Sequence, residues 1–150
     1  MMDEYVEEYL LIYGFSKDQI DYIKTNPYIS QVSKKHLINI IEYLEDYKIS
    51  QKKIVKILST NKWLISENYY RINYIEDLFK KIGFNNAEYK IVLETNYKTL
   101  TINPKELIKT INYIISKNNA INIKNFIINN PSIVSEKFVD AKKIIDDLAI

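Results

Sequence analysis

Four stretches decide the fold of this chain: KTNPYIS (residues 24–30), STNKWLIS (59–66), ETNYKTLT (94–101) and INNPSIVS (128–135). Aligned with one another, they place an anchor position at Pro27, Lys62, Tyr97 and Pro131, so the anchors lie 35, 35 and 34 residues apart. A constant spacing of this length is typical of proteins built from stacked supersecondary units. We therefore predict four repeats of about 35 residues.

Apolar residues recur at fixed distances from these anchors. The position four residues before the anchor holds Ile23, Leu58, Leu93 and Ile127; the position ten after holds Leu37, Ile72, Leu107 and Ala141; the position seventeen after holds Leu44, Phe79, Ile114 and Leu148. The position two after holds Ile29, Leu64, Ile133 and one polar exception, Thr99. We predict that these columns form the core.

Helices are the expected elements. Two glycines and three prolines are too few for a β-protein, which needs frequent turns. Apolar residues at helical spacing on both sides of each anchor predict a short helix, a tight link and a longer helix, at about residues 17–25 and 33–47 in the first repeat. Ser16 with Gln19, Asn85 with Glu88, and Asn103 with Glu106 have the spacing of capping boxes.

The predicted fold class is all-α. A single helix pair cannot bury its own apolar stripe, whereas stacked neighbours can cover it. We expect a short right- or left-handed α-solenoid of about four two-helix repeats, forming one domain over residues 1–150 with repeats at approximately 9–45, 46–81, 82–117 and 118–150.

The residue inventory excludes most site chemistry. The chain has no cysteine, one histidine and two distant glycines, so disulfides, multi-histidine metal sites, carboxylate–histidine–nucleophile triads and glycine-rich phosphate loops cannot be assembled. His36 is expected to be a solvated helix residue. We expect no catalytic residue, no metal, no cofactor and no small-molecule substrate, and hence no enzyme.

Neither a membrane span nor a targeting segment is evident. No apolar run approaches the roughly 18–20 residues that a transmembrane helix needs. The first ten residues, MMDEYVEEYL, carry four acids and no Lys or Arg, unlike the basic start of a signal or transit segment. We expect a cytoplasmic protein with no membrane partner.

Positive charge is concentrated in the middle of the chain. Residues 1–21 have a net charge of −5, residues 22–137 of +8 and residues 138–150 of −1, which sum to the overall +2. This distribution is compatible with a polyanionic partner.

The repeat pattern resembles that of the mitochondrial transcription termination factor (mTERF) family. The residues that carry the resemblance are GFSKDQIDYIKTNPYISQVSKKHLINIIEYL (14–44) and INIKNFIINNPSIVSEKFVDAKKIIDDL (121–148), and it extends over nearly the whole chain. The family's proline is kept at Pro27 and Pro131 but is replaced by Lys62 and Tyr97. The resemblance implies a curved array of helices that holds DNA or RNA along a basic concave face, in the context of transcription regulation.

Basic residues recur seven to twelve positions after the anchors, near the start of each long helix. The short helix of the second repeat adds Lys52, Lys53 and Lys56. We predict phosphate contacts for Lys34, Lys35, Lys53, Lys56, Arg71, Lys105, Lys109, Lys142 and Lys143. Ordinary solvated lysines are the alternative. Among the aromatic residues, Trp63 is expected to pack in a link, and Tyr22, Tyr43, Tyr74 and Tyr113 at the core or its rim.

Two functions from different classes remain open. The first is a nucleic-acid-binding repeat module that grips backbone phosphates of DNA or RNA. The alternative is a protein–protein interaction or inhibitory module of bacterial or phage origin with no nucleic-acid binding. The low net charge, a single arginine among 21 basic residues and the acidic amino terminus favour the alternative.

Overall fold

The computed structural model describes residues 1–148 and residue 150; position 149, within the last predicted repeat, lies outside the described residues. The described chain contains nine α-helices, four short 3-10 turns and no strand. The helices are α1 Glu4–Tyr13, α2 Lys17–Lys24, α3 Lys34–Asp46, α4 Gln51–Thr60, α5 Tyr69–Lys81, α6 Asn86–Thr95, α7 Pro104–Lys117, α8 Ile123–Asn129 and α9 Phe138–Asp147. The turns are η1 Ile29–Gln31, η2 Leu64–Ser66, η3 Thr99–Thr101 and η4 Pro131–Val134.

A short helix, a 3-10 turn and a second helix follow one another four times after α1. The all-helical prediction is confirmed, and the first pair at Lys17–Lys24 and Lys34–Asp46 lies within a residue of its predicted bounds. The 3-10 turn between the two helices was not predicted. The domain and repeat bounds given above stay predictions.

The helices begin where capping side chains satisfy their free amides. The predicted capping boxes are present at Ser16 and Asn85, each with its reciprocal bond from the residue three later. At Asn103 the side chain accepts from the Lys105 amide at 3.0 Å, so α7 has a cap but no box. Ser33, Ser50 and Asn122 cap three further helices in the same way.

Two helices end in left-handed glycines. Gly14 has φ +123° after α1 and Gly83 has φ +104° after α5, a conformation that side chains with a Cβ rarely adopt. The next residue returns into the core in both places: the Phe15 amide donates to the Leu10 carbonyl at 3.0 Å, and the Phe84 amide to the Phe79 carbonyl at 3.1 Å. Each Gly-Phe pair therefore reverses the chain and buries a ring.

The predicted core columns are buried with one exception. All members of the columns four before, two after and ten after the anchor are buried, as are the first three members of the column seventeen after. The prediction for Leu148 is wrong, since its side chain is 41% exposed. Leu148 follows the last residue of α9, where helical periodicity no longer sets the direction of the side chain.

Thr99, the polar member of its column, is fully buried, and no partner for its hydroxyl lies in the described part of the chain. The equivalent residues Ile29, Leu64 and Ile133 are apolar. A buried hydroxyl without a hydrogen bond costs about 1–3 kcal/mol, while a methyl group of the same size does not.

We expect Thr99→Val to raise the free energy of unfolding by about 1 kcal/mol, because it removes that unsatisfied hydroxyl without changing the packed volume. Urea titration followed by circular dichroism measures the change. Thr95→Val is the control, since the Thr95 hydroxyl is exposed and donates to the Ile91 carbonyl at 2.7 Å. A loss of stability in Thr99→Val would contradict the apolar character of this column.

The chain divides into two compact units, residues 1–69 and 70–150. In the first unit α1 packs against α2 and α3, and α2 packs against α4. α3 packs against α4 and η2, and η1 contacts η2. Short helix therefore packs on short helix, with the 3-10 turns stacked beside them.

In the second unit α7 and α9 pack side by side, η4 contacts both of these helices, and α8 contacts α7. Aromatic side chains fill the start of this unit: the Phe79 ring lies 5.0 Å from that of Phe84 and 5.2 Å from that of Tyr89, measured between centroids. The side-by-side packing of α7 and α9 brings exposed residues of the two helices next to each other.

Asparagine side chains connect successive repeats within each unit. Asn26 is 1% exposed; its Nδ2 donates to the Lys62 carbonyl at 2.9 Å and to Ser66 Oγ at 2.8 Å, and its Oδ1 accepts from the Tyr28 amide. In the second unit Asn96 Nδ2 donates to the Pro131 carbonyl at 2.7 Å. Both bonds run from the residue before one anchor to the carbonyl of the next anchor.

Candidate nucleic-acid interface

Three lysines and a tyrosine lie along one face of α7. Lys105, Lys109, Tyr113 and Lys117 are four residues apart, and this spacing aligns side chains on a helix surface. The three lysines are exposed, and 62% of the Lys109 side chain is accessible although its Nζ lies 3.7 Å from Glu106 Oε2. The face is therefore a row of accessible positive charges.

Tyr113 joins this row to α9. The ammonium nitrogens of Lys117 and Lys142 lie 5.4 Å and 5.6 Å from the Tyr113 ring centroid, and the Tyr113 hydroxyl donates to the Asp146 carboxylate. Lys117 also pairs with Asp146 at 3.3 Å. The pKa of Asp146 lies below its ordinary value, chiefly because of the hydrogen bond from Tyr113 and then because of Lys117. The pKa of Lys117 is raised by its bonds to Tyr113 and Asp146.

We name Lys105, Lys109, Lys117 and Lys142 the α7–α9 ridge. Of the predicted site residues, the structure brings Lys105, Lys109, Lys142 and Lys143 together on these two neighbouring helices, all of them exposed. Lys117 was missed by sequence reasoning. Its signal was its position twelve residues, or three steps of four, after Lys105, which a search limited to helix starts does not cover.

Lys34 and Lys35 lie in the first turn of α3 and are exposed. The Lys34 ammonium nitrogen is 5.9 Å from the centroid of the Tyr9 ring of α1. The exposed residues in the second half of α3 are acidic: Glu42, Glu45 and Asp46. The positive charge on α3 is thus confined to one turn.

The remaining predicted residues lie elsewhere. Lys53 and Lys56 belong to α4, the first helix of its pair, whereas the other predicted lysines lie on the second helix of theirs. Arg71 is half-buried, and its Nη2 donates to the Ile102 carbonyl at 3.5 Å, so its guanidinium group is less available to a ligand than the exposed lysines.

The four tyrosines expected at the core or rim differ in exposure. Tyr43 is buried and Tyr113 half-buried, whereas Tyr22 and Tyr74 are 41% and 48% exposed. Trp63, expected to pack in a link, is 45% exposed. The exposed rings lie outside the apolar columns, so periodicity alone did not determine their environment.

His36 is half-buried rather than solvated, which corrects the expectation. It lies in the first turn of α3, where its amide donates to Ser33 Oγ at 3.1 Å. Its Nε2 is covered, with no hydrogen-bond partner among residues 1–148 and 150. The side chain lines a cleft of about 330 Å³ together with Tyr28 and Glu67.

No group of three or more His, Asp and Glu side chains in the described part of the chain is placed to hold a metal ion. Of the helices that the structure describes, none has both the length and the apolar character needed to cross a bilayer.

Successive pairs of helices, each pair joined by a 3-10 turn, define a helical-repeat protein. Exposed lysines lie on its neighbouring helices α7 and α9. The sequence model of the mTERF family matches residues 2–138. The chain belongs to the mTERF family, which confirms the resemblance seen in its repeats. No match was found among the curated proteins or among the solved structures.

Proposed function

We propose that the chain is a nucleic-acid-binding helical-repeat module that contacts backbone phosphates through lysines. Membership of the mTERF family supports DNA or RNA as the partner. In this proposal the repeats stack into a short solenoid whose concave face carries the contacts, and the protein acts in transcription regulation without catalysing a reaction.

The α7–α9 ridge is the observation that carries the proposal. Its four ammonium groups extend along two packed helices, and the α7 lysines span twelve residues, which is about 18 Å of helix. Over such a distance a nucleic-acid backbone presents several phosphate charges, so the row of lysines can contact more than one of them. Lysine offers a mobile point charge rather than a bidentate fork, so the ridge favours binding to the backbone over readout of base sequence.

We expect Lys105→Glu with Lys109→Glu to weaken duplex binding. The slope of log affinity against log salt concentration, which is negative, should decrease in magnitude by about 2, since each lost phosphate contact decreases it by about 1. Fluorescence anisotropy with a labelled duplex over a salt series measures both quantities. Circular dichroism shows whether the variant is folded.

Lys90→Glu with Lys98→Glu is the matched control. These lysines lie on the short helix α6 and beside η3 in the same unit, and the variant changes the net charge by the same amount. It should keep the salt slope of the unmodified protein. If duplex DNA and RNA are not bound at low salt, or if binding does not depend on salt, the proposal is wrong.

A protein partner is the second candidate, favoured by the surface of α1. Tyr5, Leu11 and Ile12 are 62%, 52% and 76% exposed on this helix, beside the carboxylates of Glu4 and Glu8. An apolar and acidic face of this kind suits a protein better than a polyanion. Recovery of a stoichiometric protein partner after nuclease treatment, and its loss in Leu11→Ser with Ile12→Ser, would support this candidate.

A further inference from the structure

The most basic part of the chain is not the ridge. Residues 47–66 contain five lysines and no acidic residue, a composition that no other stretch of this length has. They run through α4 and end in η2, within the first unit. Three of the five, Lys48, Lys52 and Lys62, were outside the predicted site.

Exposed lysines lie in the first six residues of α4. Lys52, Lys53 and Lys56 are all exposed, and Lys52 and Lys56, one turn apart, line an open cleft of about 690 Å³. Tyr13 and Gln51 form part of the same cleft. Burial, and then the Glu45 carboxylate, raise the pKa of Tyr13 to about 12.

An aromatic cluster lies at the other end of α4. The Tyr22 hydroxyl donates to the Thr60 carbonyl at 3.1 Å, which holds the ring against the last residue of the helix. Lys62 Nζ lies 5.3 Å from the Tyr22 centroid and 5.6 Å from that of Trp63, and it donates to Thr25 Oγ1 at 2.7 Å. The Trp63 and Tyr28 rings are 6.4 Å apart.

Large parts of these rings face solvent: Tyr22 is 41%, Tyr28 54% and Trp63 45% exposed. The hydrogen bonds of Tyr22 and Lys62 hold these two side chains in place, so the cluster is a preformed aromatic platform at the opposite end of α4 from Lys52, Lys53 and Lys56. The helix that joins the platform to the cleft has ten residues and is about 15 Å long.

We propose that this surface, the α4 lysines with the Tyr22–Tyr28–Trp63 platform, binds single-stranded nucleic acid. A protruding ring can stack only on a base whose face is free, and a duplex covers those faces with neighbouring base pairs. The lysines neutralise the phosphates, and the rings stack on bases without selecting among them. The surface is carried by a different unit from the ridge and is tested separately.

Trp63 is the only tryptophan, so its emission reports directly on the platform. We expect an oligothymidylate strand to quench this emission, and a duplex of the same length to leave it largely unchanged. Trp63→Leu should weaken binding of the labelled strand between about fivefold and about 150-fold, while Trp63→Phe, which keeps a ring, retains most of the affinity. Lys52→Glu with Lys56→Glu should decrease the magnitude of the salt slope by about 1.4.

Tyr5→Leu is the matched aromatic control, because this ring is 62% exposed in the same unit but lies on the acidic helix α1. Its affinity for the single strand should be unchanged. If the strand binds but Trp63→Leu has no effect and Lys105→Glu with Lys109→Glu abolishes binding, this inference is wrong and the proposed function stands. If the strand binds through α4 and the ridge variants leave duplex binding unaltered, this inference is supported and the assignment of duplex contacts to the ridge is wrong. Absence of binding to either nucleic acid contradicts both.

Discussion

Phe79→Ala is expected to lower the free energy of unfolding by about 3–5 kcal/mol, the range for removing a buried aromatic ring. Phe79 is 1% exposed and packs edge-on against Phe84. It also contacts Tyr89, which is fully buried. The loss combines the transfer free energy of the ring with a cavity that two rigid aromatic neighbours cannot close.

Leu148→Ala is the control for this substitution. Leu148 occupies the same position in the repeat but is 41% exposed, so truncation should cost less than about 0.5 kcal/mol. Urea titration of the two variants, followed by the circular dichroism signal of the helices, gives the comparison. Equal losses at both positions would show that repeat register, rather than burial, determines the stability of this column.

Asn26→Ala is expected to lower the free energy of unfolding by about 2–3 kcal/mol, because it leaves buried hydrogen-bonding groups without partners. The amide of Asn26 connects the first repeat to the Lys62 carbonyl and to Ser66 of the second. Its Oδ1 also accepts from the Tyr28 amide at 2.9 Å. The substitution removes all three bonds and leaves a small cavity.

Asn130→Ala provides the comparison within the same motif. Asn130 is half-buried, and its Nδ2 donates at 3.0 Å to the Phe126 carbonyl of its own helix. Its truncation should cost about 1 kcal/mol, the usual net value of one hydrogen bond. The two variants are compared by urea titration. If Asn26→Ala is no more damaging than Asn130→Ala, the bonds between repeats do not contribute to stability as we infer.

The helices and the core could be predicted because both depend on local spacing. Ser16 and Asn85 fixed two helix starts, and the apolar columns identified residues such as Leu58 and Leu107 that are fully buried. The prediction that Leu148 is buried was wrong because α9 ends at Asp147, before this position of the column. Thr99 is polar but is buried nonetheless, because its position in the repeat lies in the core.

The candidate surfaces could be predicted only in part. Sequence spacing identified Lys105 and Lys109 on α7 but not the packing of α9, which brings Lys142 beside Tyr113. It also grouped Lys53 and Lys56 with lysines of the long helices. Which helices pack side by side is a tertiary property, and it decides which charges share a surface.

The asparagine bonds between repeats also explain why the anchor position can vary. Asn26 and Asn96 bond to a backbone carbonyl, and every amino acid provides one whatever its side chain. Lysine can therefore replace proline at Lys62 while the acceptor is kept. In divergent repeats of this kind, the asparagine is the more durable marker of register, and alignments built on it should detect units that have lost their proline.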